Sequence, residues 1–243
     1  LTVKARMVSG DGLADTAGLR AGDPIVITWS GFETWANGIR TVAGRSPDLL
    51  ITVDCGIASV HEAETAKKLG LELIITDHHE FADQLPAAAA IVHPRLPGHN
   101  YPFSGLCGAG VALKLAWALC QRASDAKRVS ERMRNCLMTA VGIAAIGTVT
   151  DVVPLLDENR VLVRYGLKSV ERSSRPGLQE LRIVARCTRG PVDTTALAFF
   201  LGPRLNVAGR LEKPDIALDL LRAKDPEEGR RIAIYLNELN GRR

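Results

Sequence analysis

Two acids stand directly behind short apolar runs. Asp54 follows Leu49-Leu-Ile-Thr-Val53, and Asp77 follows Leu73-Ile-Ile75 and Thr76, leading the cluster Asp77-His78-His79-Glu80. In open parallel sheets, ligands gather beyond the carboxyl ends of the strands. Two neighbouring parallel strands would present both carboxylates and both imidazoles to one crevice. Carboxylate with imidazole is a donor set suited to Mn²⁺ or Mg²⁺. Taken singly, each group has a plainer reading: Asp54 as a turn cap and the histidines as surface residues.

A third acid of interest is Asp151, inside Ile146-Gly-Thr-Val-Thr-Asp-Val-Val-Pro-Leu155. If buried, a carboxylate in such an apolar stretch needs a partner, a hydrogen bond or a cation. It is therefore a candidate metal ligand, with a cap ahead of Pro154 as the alternative. A third group lies in Leu201-Gly-Pro-Arg-Leu-Asn-Val-Ala-Gly-Arg-Leu211. Arg204, Asn206 and Arg210 supply planar donors, while Gly202 and Gly209 allow close backbone approach, as in a phosphate-binding loop. Ordinary helix termini share this composition.

Positively charged residues cluster further along. Between Arg160 and Arg189 stand eight cations (Arg160, Arg164, Lys168, Arg172, Arg175, Arg182, Arg186, Arg189) against Glu171 and Glu180, a net of +6. The first four recur every fourth residue, so one helix would carry them as a stripe able to follow a nucleic-acid backbone. A solvated helix face would look the same.

The elements that must position these groups follow from the pattern. Leu49–Val53, Leu73–Ile75 and Ala90–Val92 read as buried strands. Between the first two, Ser59 and Glu62 have capping-box spacing, Val60, Ala63, Ala66 and Leu69 share a helical face, and Gly70 ends the helix. Strand, helix, strand implies a right-handed βαβ unit and a parallel sheet. Helices are expected at 108–119 (burying Leu115 and Leu119), 136–149, 160–170, 178–185, 194–201 and 227–239. The fold class is α/β: a three-layer parallel-sheet core over 48–155, then a helical region over 156–243. Residues 1–47 stand apart. They hold Trp29 and Trp35 and many glycines, and Ala14 to Val26 faintly resembles part of a PDZ domain, over too few residues to carry a function.

The chain of 243 residues has 46% hydrophobic and 24% charged residues and a net charge of +4, which excludes disordered and fibrous classes. A charge this small does not itself point to nucleic acid. Arg outnumbers Lys 23 to 8, which suits phosphate contacts but also follows from coding bias. Five scattered cysteines without a CxxC pair fit reduced thiols in a cytoplasmic protein. The longest apolar run, Leu137 to Val149, is interrupted by Gly142 and Gly147 and is short for a membrane span. No signal core opens the chain. A start at Leu suggests a fragment, a processed chain or an unusual start codon.

Together the segments Leu-Ile-Thr-Val-Asp54-Cys-Gly, Thr-Asp77-His78-His79, Cys107-Gly-Ala-Gly-Val-Ala-Leu-Lys-Leu-Ala-Trp117, Gly147-Thr-Val-Thr-Asp151-Val-Val-Pro-Leu155 and Gly202-Pro-Arg-Leu-Asn-Val-Ala-Gly-Arg210-Leu resemble the RecJ family of single-strand-specific exonucleases, within the DHH phosphoesterase superfamily. The resemblance covers about 47–243, and Leu236 to Arg243 is similar to the start of that family's long connecting helix. It implies a two-metal hydrolase taking Mn²⁺ or Mg²⁺, with ions about 4 Å apart. Asp54 (bridging), His78 and Asp151 would be metal ligands. Asp77 would orient the metal and water network, His79 would face the scissile phosphate as a donor, and Arg204, Asn206 and Arg210 would hold the DNA phosphate. The implied activity is release of 5′-nucleotides from the 5′ end of single-stranded DNA in repair and recombination, by a monomer with repair-protein partners and no membrane.

One departure stands out. Family members carry Asp-x-Asp-Gly on the first strand, with metal-binding carboxylates, whereas Gly10-Asp-Gly-Leu-Ala-Asp15 does not match that order. No role is carried over to Asp11 or Asp15. The change near Pro47 suggests a frameshift, a misplaced start or a recombined gene, and the family's C-terminal nucleic-acid-binding region is missing. Weak activity is expected from a site lacking two carboxylates. Two other readings stay open: a non-catalytic single-strand-binding fragment, and a hydrolase of short oligonucleotides or pyrophosphate.

Overall fold

The computed structural model describes residues 49–124, 128–210 and 214–242, with the backbone alone for Arg6–Val8, Ile25–Ile27, Arg210 and Pro214. Gly10 to Asp15, Trp29 and Trp35 lie outside the described residues, as does most of the Ala14 to Val26 stretch. The chain divides into two compact units, 1–102 and 103–243.

The first unit is built on a parallel sheet with strands in sequence order: β1 (Arg6–Val8), β2 (Ile25–Ile27), β3 (Leu49–Val53), β4 (Glu72–Thr76) and β5 (Ala90–Val92). Leu50 and Thr52 of β3 and Leu73 and Ile75 of β4 are buried, so these strands form the middle of the core. Helix α1 (Val60–Lys68) connects them and closes on the sheet through Ala63 and Ala66, whose small side chains permit close approach. It starts directly after Ser59, as expected, but the Ser59 side chain makes no capping bond. Leu69 is exposed rather than part of the buried face. Gly70, at φ +74°, ends the helix in the left-handed region.

The second unit is helical: α2 (Gly108–Ala123), α3 (Glu131–Thr150), α4 (Asp157–Glu171), α5 (Pro176–Val184), a π-helical segment (Ala196–Leu201) that continues into α6 (Gly202–Arg210), then α7 (Pro214–Arg222) and α8 (Pro226–Gly241). Its core joins α3, α4, α5 and α8 through Ala145, Leu162, Leu178, Leu181 and Leu236. Each fully buried Leu contributes roughly 1.5–3 kcal/mol. Helices α3 and α4 cross closely because α4 carries Gly166, where an added Cβ would lie 2.2 Å from the Ala145 Cβ. Buried Asn159 fixes the connection between these helices, its Nδ2 donating to the carbonyls of Gly105 (2.6 Å) and Pro154 (3.0 Å). Cys107 caps α2, its Sγ accepting from Gly110 N–H and lying 3.4 Å from Thr148 Oγ1 on α3.

Several expectations need correction. The units meet after Pro102, not after Leu155, because α3 packs against α4 and belongs with the helices that follow. Helix α2 buries Val111 and Leu113 and leaves Leu119 exposed, since its glycine-rich first turn is the end that enters the core. Residues 202–210 form helix α6 rather than a loop, and α7 was not foreseen. Helix α3 begins five residues earlier than expected and is long and apolar enough, by composition, to cross a membrane. Its second half, Ala144 to Ile146 with Thr148 and Val149, is buried in this core instead.

Gly166→Ala should destabilise the chain by about 1–3 kcal/mol through overpacking, read as a lower urea midpoint. An unchanged midpoint would contradict the close α3–α4 crossing.

Candidate metal centre and phosphate-binding helix

Register places the first group of side chains. Val53 is level with Thr76, so Asp54 and Asp77 leave adjacent strands side by side at the carboxyl edge. The Asp54 N–H donates to the Thr76 carbonyl (2.9 Å), and the Asp77 N–H to the Val92 carbonyl (3.1 Å). Thr76 Oγ1 donates to the Thr52 carbonyl and Thr52 Oγ1 to the Cys55 carbonyl, each at 2.8 Å, tying the strand ends to the turn after β3. Asp54 has φ +64°, which turns the chain sharply at the edge of the sheet and which an aspartate tolerates better than most residues.

Asp77 is buried and accepts four hydrogen bonds. Its Oδ2 takes the Ile57 N–H (3.0 Å), and its Oδ1 takes the N–H groups of His78 (2.7 Å) and His79 (3.2 Å) and the His79 ring at Nδ1 (2.7 Å). Burial pushes its pKa up. The bonds from Ile57, the His79 ring and the two backbone N–H groups outweigh that and hold it below the ordinary value of 3.8. Asp77 is thus an ionised anchor beneath the site.

A second set of bonds holds the His78-His79 segment from the loop after β5. His93 Nε2 donates to the His79 carbonyl (2.8 Å), and His93 Nδ1 accepts the Arg95 N–H (3.0 Å). Both ring nitrogens are engaged in the neutral tautomer, and burial keeps the His93 pKa low. Arg95 Nη2 donates to the His78 carbonyl (2.8 Å) while Nη1 pairs with Glu80. The sequence reading missed His93 and Arg95; the available signal was a His-Pro-Arg triplet at the carboxyl end of β5.

Above this scaffold, His78 Nε2 lies 3.2 Å from Asp54 Oδ1. Asp54, His78 and His79 each offer a donor atom within 4.8 Å of the others. Carboxylate and imidazole donors converging at strand ends fit a divalent cation. With Nδ1 of His79 bound to Asp77, its Nε2 is the nitrogen left to face a ligand.

The remaining candidates belong to the second unit. Asp151 caps the C-terminus of α3, its N–H donating to the Gly147 carbonyl (2.9 Å). It is exposed, so the expected burial cost does not apply. What replaces it is position: a carboxylate at a helix C-terminus faces the negative end of the dipole. The next residue, Val152, has φ +60°, a strained conformation for a β-branched side chain. Gly202 brings α6 against this helix end, since a Cβ there would lie 2.1 Å from Thr150 Cγ2.

On α6, Arg204 Nε donates to Asn237 Oδ1 (2.9 Å) and Nη1 to the Phe200 carbonyl (2.6 Å), fixing the guanidinium plane. Asn206 is exposed. Arg210 closes the helix, and its side chain lies outside the described residues. In the basic stretch, Arg160, Arg164, Lys168 and Arg172 are all exposed along α4 and its C-cap. Arg175 and Arg182 are engaged structurally, donating to the carbonyls of Leu221 (2.9 Å) and Glu171 (2.8 Å).

A parallel sheet with Asp-His-His at its carboxyl edge is the arrangement of a DHH-type protein, and the family profile "DHH family, N-terminal domain" matches residues 4–141. The chain belongs to the DHH family. It is 43% identical over 213 residues to the single-stranded-DNA-specific exonuclease RecJ of Bacillus subtilis, an alignment covering 88% of this chain and 25% of that protein. It is 40% identical over 200 residues to the RecJ of Escherichia coli, covering 81% of this chain and 34% of that protein. The crystal structure of Thermus thermophilus RecJ with Mn²⁺ superposes with TM-score 0.74 at 31% identity, over 98% of this chain and 34% of that one. The chain therefore spans a quarter to a third of these relatives. The family match reaches into the first 47 residues, and β1 and β2 join the sheet, so similarity does not begin at Pro47.

Asp77→Ala should lower stability by about 3 kcal/mol or more, because buried donors lose their acceptor. Since the folded pKa is depressed, the carboxylate's contribution is present above 3.8 and lost as pH falls through the folded value. Urea unfolding should therefore show a smaller acid-dependent loss in the variant than in the parent. Parallel pH profiles would contradict an ionised Asp77.

Proposed function

We propose that this chain is the core of a single-stranded-DNA-specific 5′-to-3′ exonuclease that hydrolyses phosphodiesters with Mn²⁺ or Mg²⁺ and releases 5′-nucleotides. The observation that carries it is the convergence of Asp54, His78 and His79 over the Asp77 anchor. Relatives named as single-stranded-DNA-specific exonucleases, and a related structure holding Mn²⁺, support the same reading. Asp54, His78 and Asp151 would hold metal. The exposed carboxylate at the end of α3, facing the negative pole of its helix, is a position that a cation relieves. Bound metal would supply activation of the attacking water and charge stabilisation at the leaving oxygen.

The chain's own residues do the rest. Asp77 orients His79 through Nδ1, aiming Nε2 at the scissile phosphate, where it donates once the ring carries its second proton. Arg204, pre-set by Asn237 and the Phe200 carbonyl, and Asn206 and Arg210 contact the phosphates of the strand. The exposed Arg160, Arg164, Lys168 and Arg172 stripe draws in the strand electrostatically, making affinity salt-dependent. Repair proteins as partners, and action as a monomer, belong to the same reading.

The test uses Mn²⁺ titration and nucleotide release together. Asp54→Ala and His78→Ala should remove measurable Mn²⁺ binding, and Asp77→Asn should weaken it about 10- to 100-fold. Slow Mn²⁺-dependent release from single strands, lost in Asp54→Ala, is the expected activity. Unchanged Mn²⁺ affinity in Asp54→Ala, or hydrolysis of pyrophosphate or dinucleotides without any release from longer single strands, would overturn the proposal.

A further inference from the structure

The segment before α6 makes two local sacrifices. Ala196–Leu201 is π-helical, and the Gly202 N–H reaches the Leu197 carbonyl five residues back. The π geometry is rare, and its occurrences concentrate at functional sites. Leu197 and Leu201 are fully buried and anchor the segment. Between them, Phe199 is 72% exposed and Phe200 43% exposed. Burial of a Phe ring is stabilising, and Phe199 forgoes the burial that Leu197 and Leu201 beside it have.

The chemistry around these rings is specific. The Phe200 carbonyl accepts from Arg204 Nη1, and Asn237 Oδ1 from its Nε, so the guanidinium is fixed against the backbone of the turn that carries both rings. Arg204 and Arg182 both act electrostatically on Cys187, in the α5–π connection. Arg186 and Arg189 of that connection are exposed. An exposed planar ring, next in sequence to the carbonyl that fixes a guanidinium and in a segment followed by further polar donors, matches a ligand that alternates flat rings with phosphates.

We infer that Phe199 is a nucleobase-stacking residue: it takes the face of a base from the single strand whose phosphate Arg204 holds. This rests on the single-strand reading above and deepens it. A duplex keeps its base faces stacked internally, so only an unpaired strand can offer one to Phe199. The arrangement thus selects single strands without reading sequence, because every base has a π-face.

The test measures binding of the full chain, in EDTA, to a 5′-phosphorylated fluorescent oligodeoxynucleotide and to abasic versions of it. Phe199→Ala and Phe199→Leu should weaken binding about 5- to 150-fold, while Phe199→Trp keeps parental affinity. Against a strand abasic at the stacked position, the parent should bind as weakly as Phe199→Ala. Melting temperatures of all three variants should match the parent, since the ring is exposed. A large drop in melting temperature for both Ala and Leu would mean a packed ring and would overturn the inference. So would parental affinity in Phe199→Ala, or in Phe199→Leu, which would reveal a merely apolar contact. In those cases the parent still binds single strands and the function reading survives. A parent with no single-strand affinity would overturn both.

Discussion

The site in the first unit depends on one buried carboxylate. Asp77 takes the N–H of Ile57, the N–H groups of His78 and His79 and the His79 ring, and so ties the turn before α1, the end of β4 and an imidazole into one unit. An aspartate so buried is tolerable only because these donors outweigh the loss of water. Without them the chain after Thr76 would have no reason to fold back over the sheet edge. His93 and Arg95 complete the clamp by holding the carbonyls of the two histidines that Asp77 holds through their N–H groups. The segment is therefore fixed from both sides of its backbone, and the side chains above it are placed by backbone geometry.

How much of this was legible follows from how local each signal is. The strands β3 to β5 and the acids at their ends were readable because an apolar run ending in Asp encodes position directly. Asp77 and His79 were distinguished from Asp54 and His78 only by family resemblance. In the structure the division has a physical basis: Asp77 is buried beneath the site, while Asp54 is exposed at its surface. His93 and Arg95 act across loops, on residues about fifteen positions earlier, and no period or spacing announces such a contact. Leu119 misled for a related reason. Helical spacing identifies a face, but which end of the helix enters the core depended on Gly108 and Gly110 being buried.

The Gly-Pro-Arg-Leu-Asn segment shows a different limit. Glycine, proline and polar donors together suggest a loop. The structure uses the same residues as a helix. Gly202 is there for contact, pressing against the Thr150 methyl, and Pro203 stands where the π-helical segment gives way to α6. A loop would leave Arg204 free to wander. On α6 its guanidinium is held by Asn237 from a helix that follows and by the Phe200 carbonyl from the turn that precedes it.

Each unit places one candidate acid at the carboxyl end of an element, although one is a sheet and the other a helical bundle. Asp54 stands at the carboxyl end of β3, with a left-handed backbone, and Asp151 at the carboxyl end of α3, with a left-handed valine beside it. Carbonyl groups point outward at the end of a helix, so a carboxylate at that position adds negative charge where the potential is already negative. Such positions lower stability in the absence of a cation and strengthen binding in its presence. The last turn of α3 itself carries no basic residue, and one run of exposed cations, Arg160, Arg164 and Lys168, lies along α4. The net value of +4 therefore conceals a local separation of charge: exposed acids at the carboxyl ends of β3 and α3, and a basic stripe along α4.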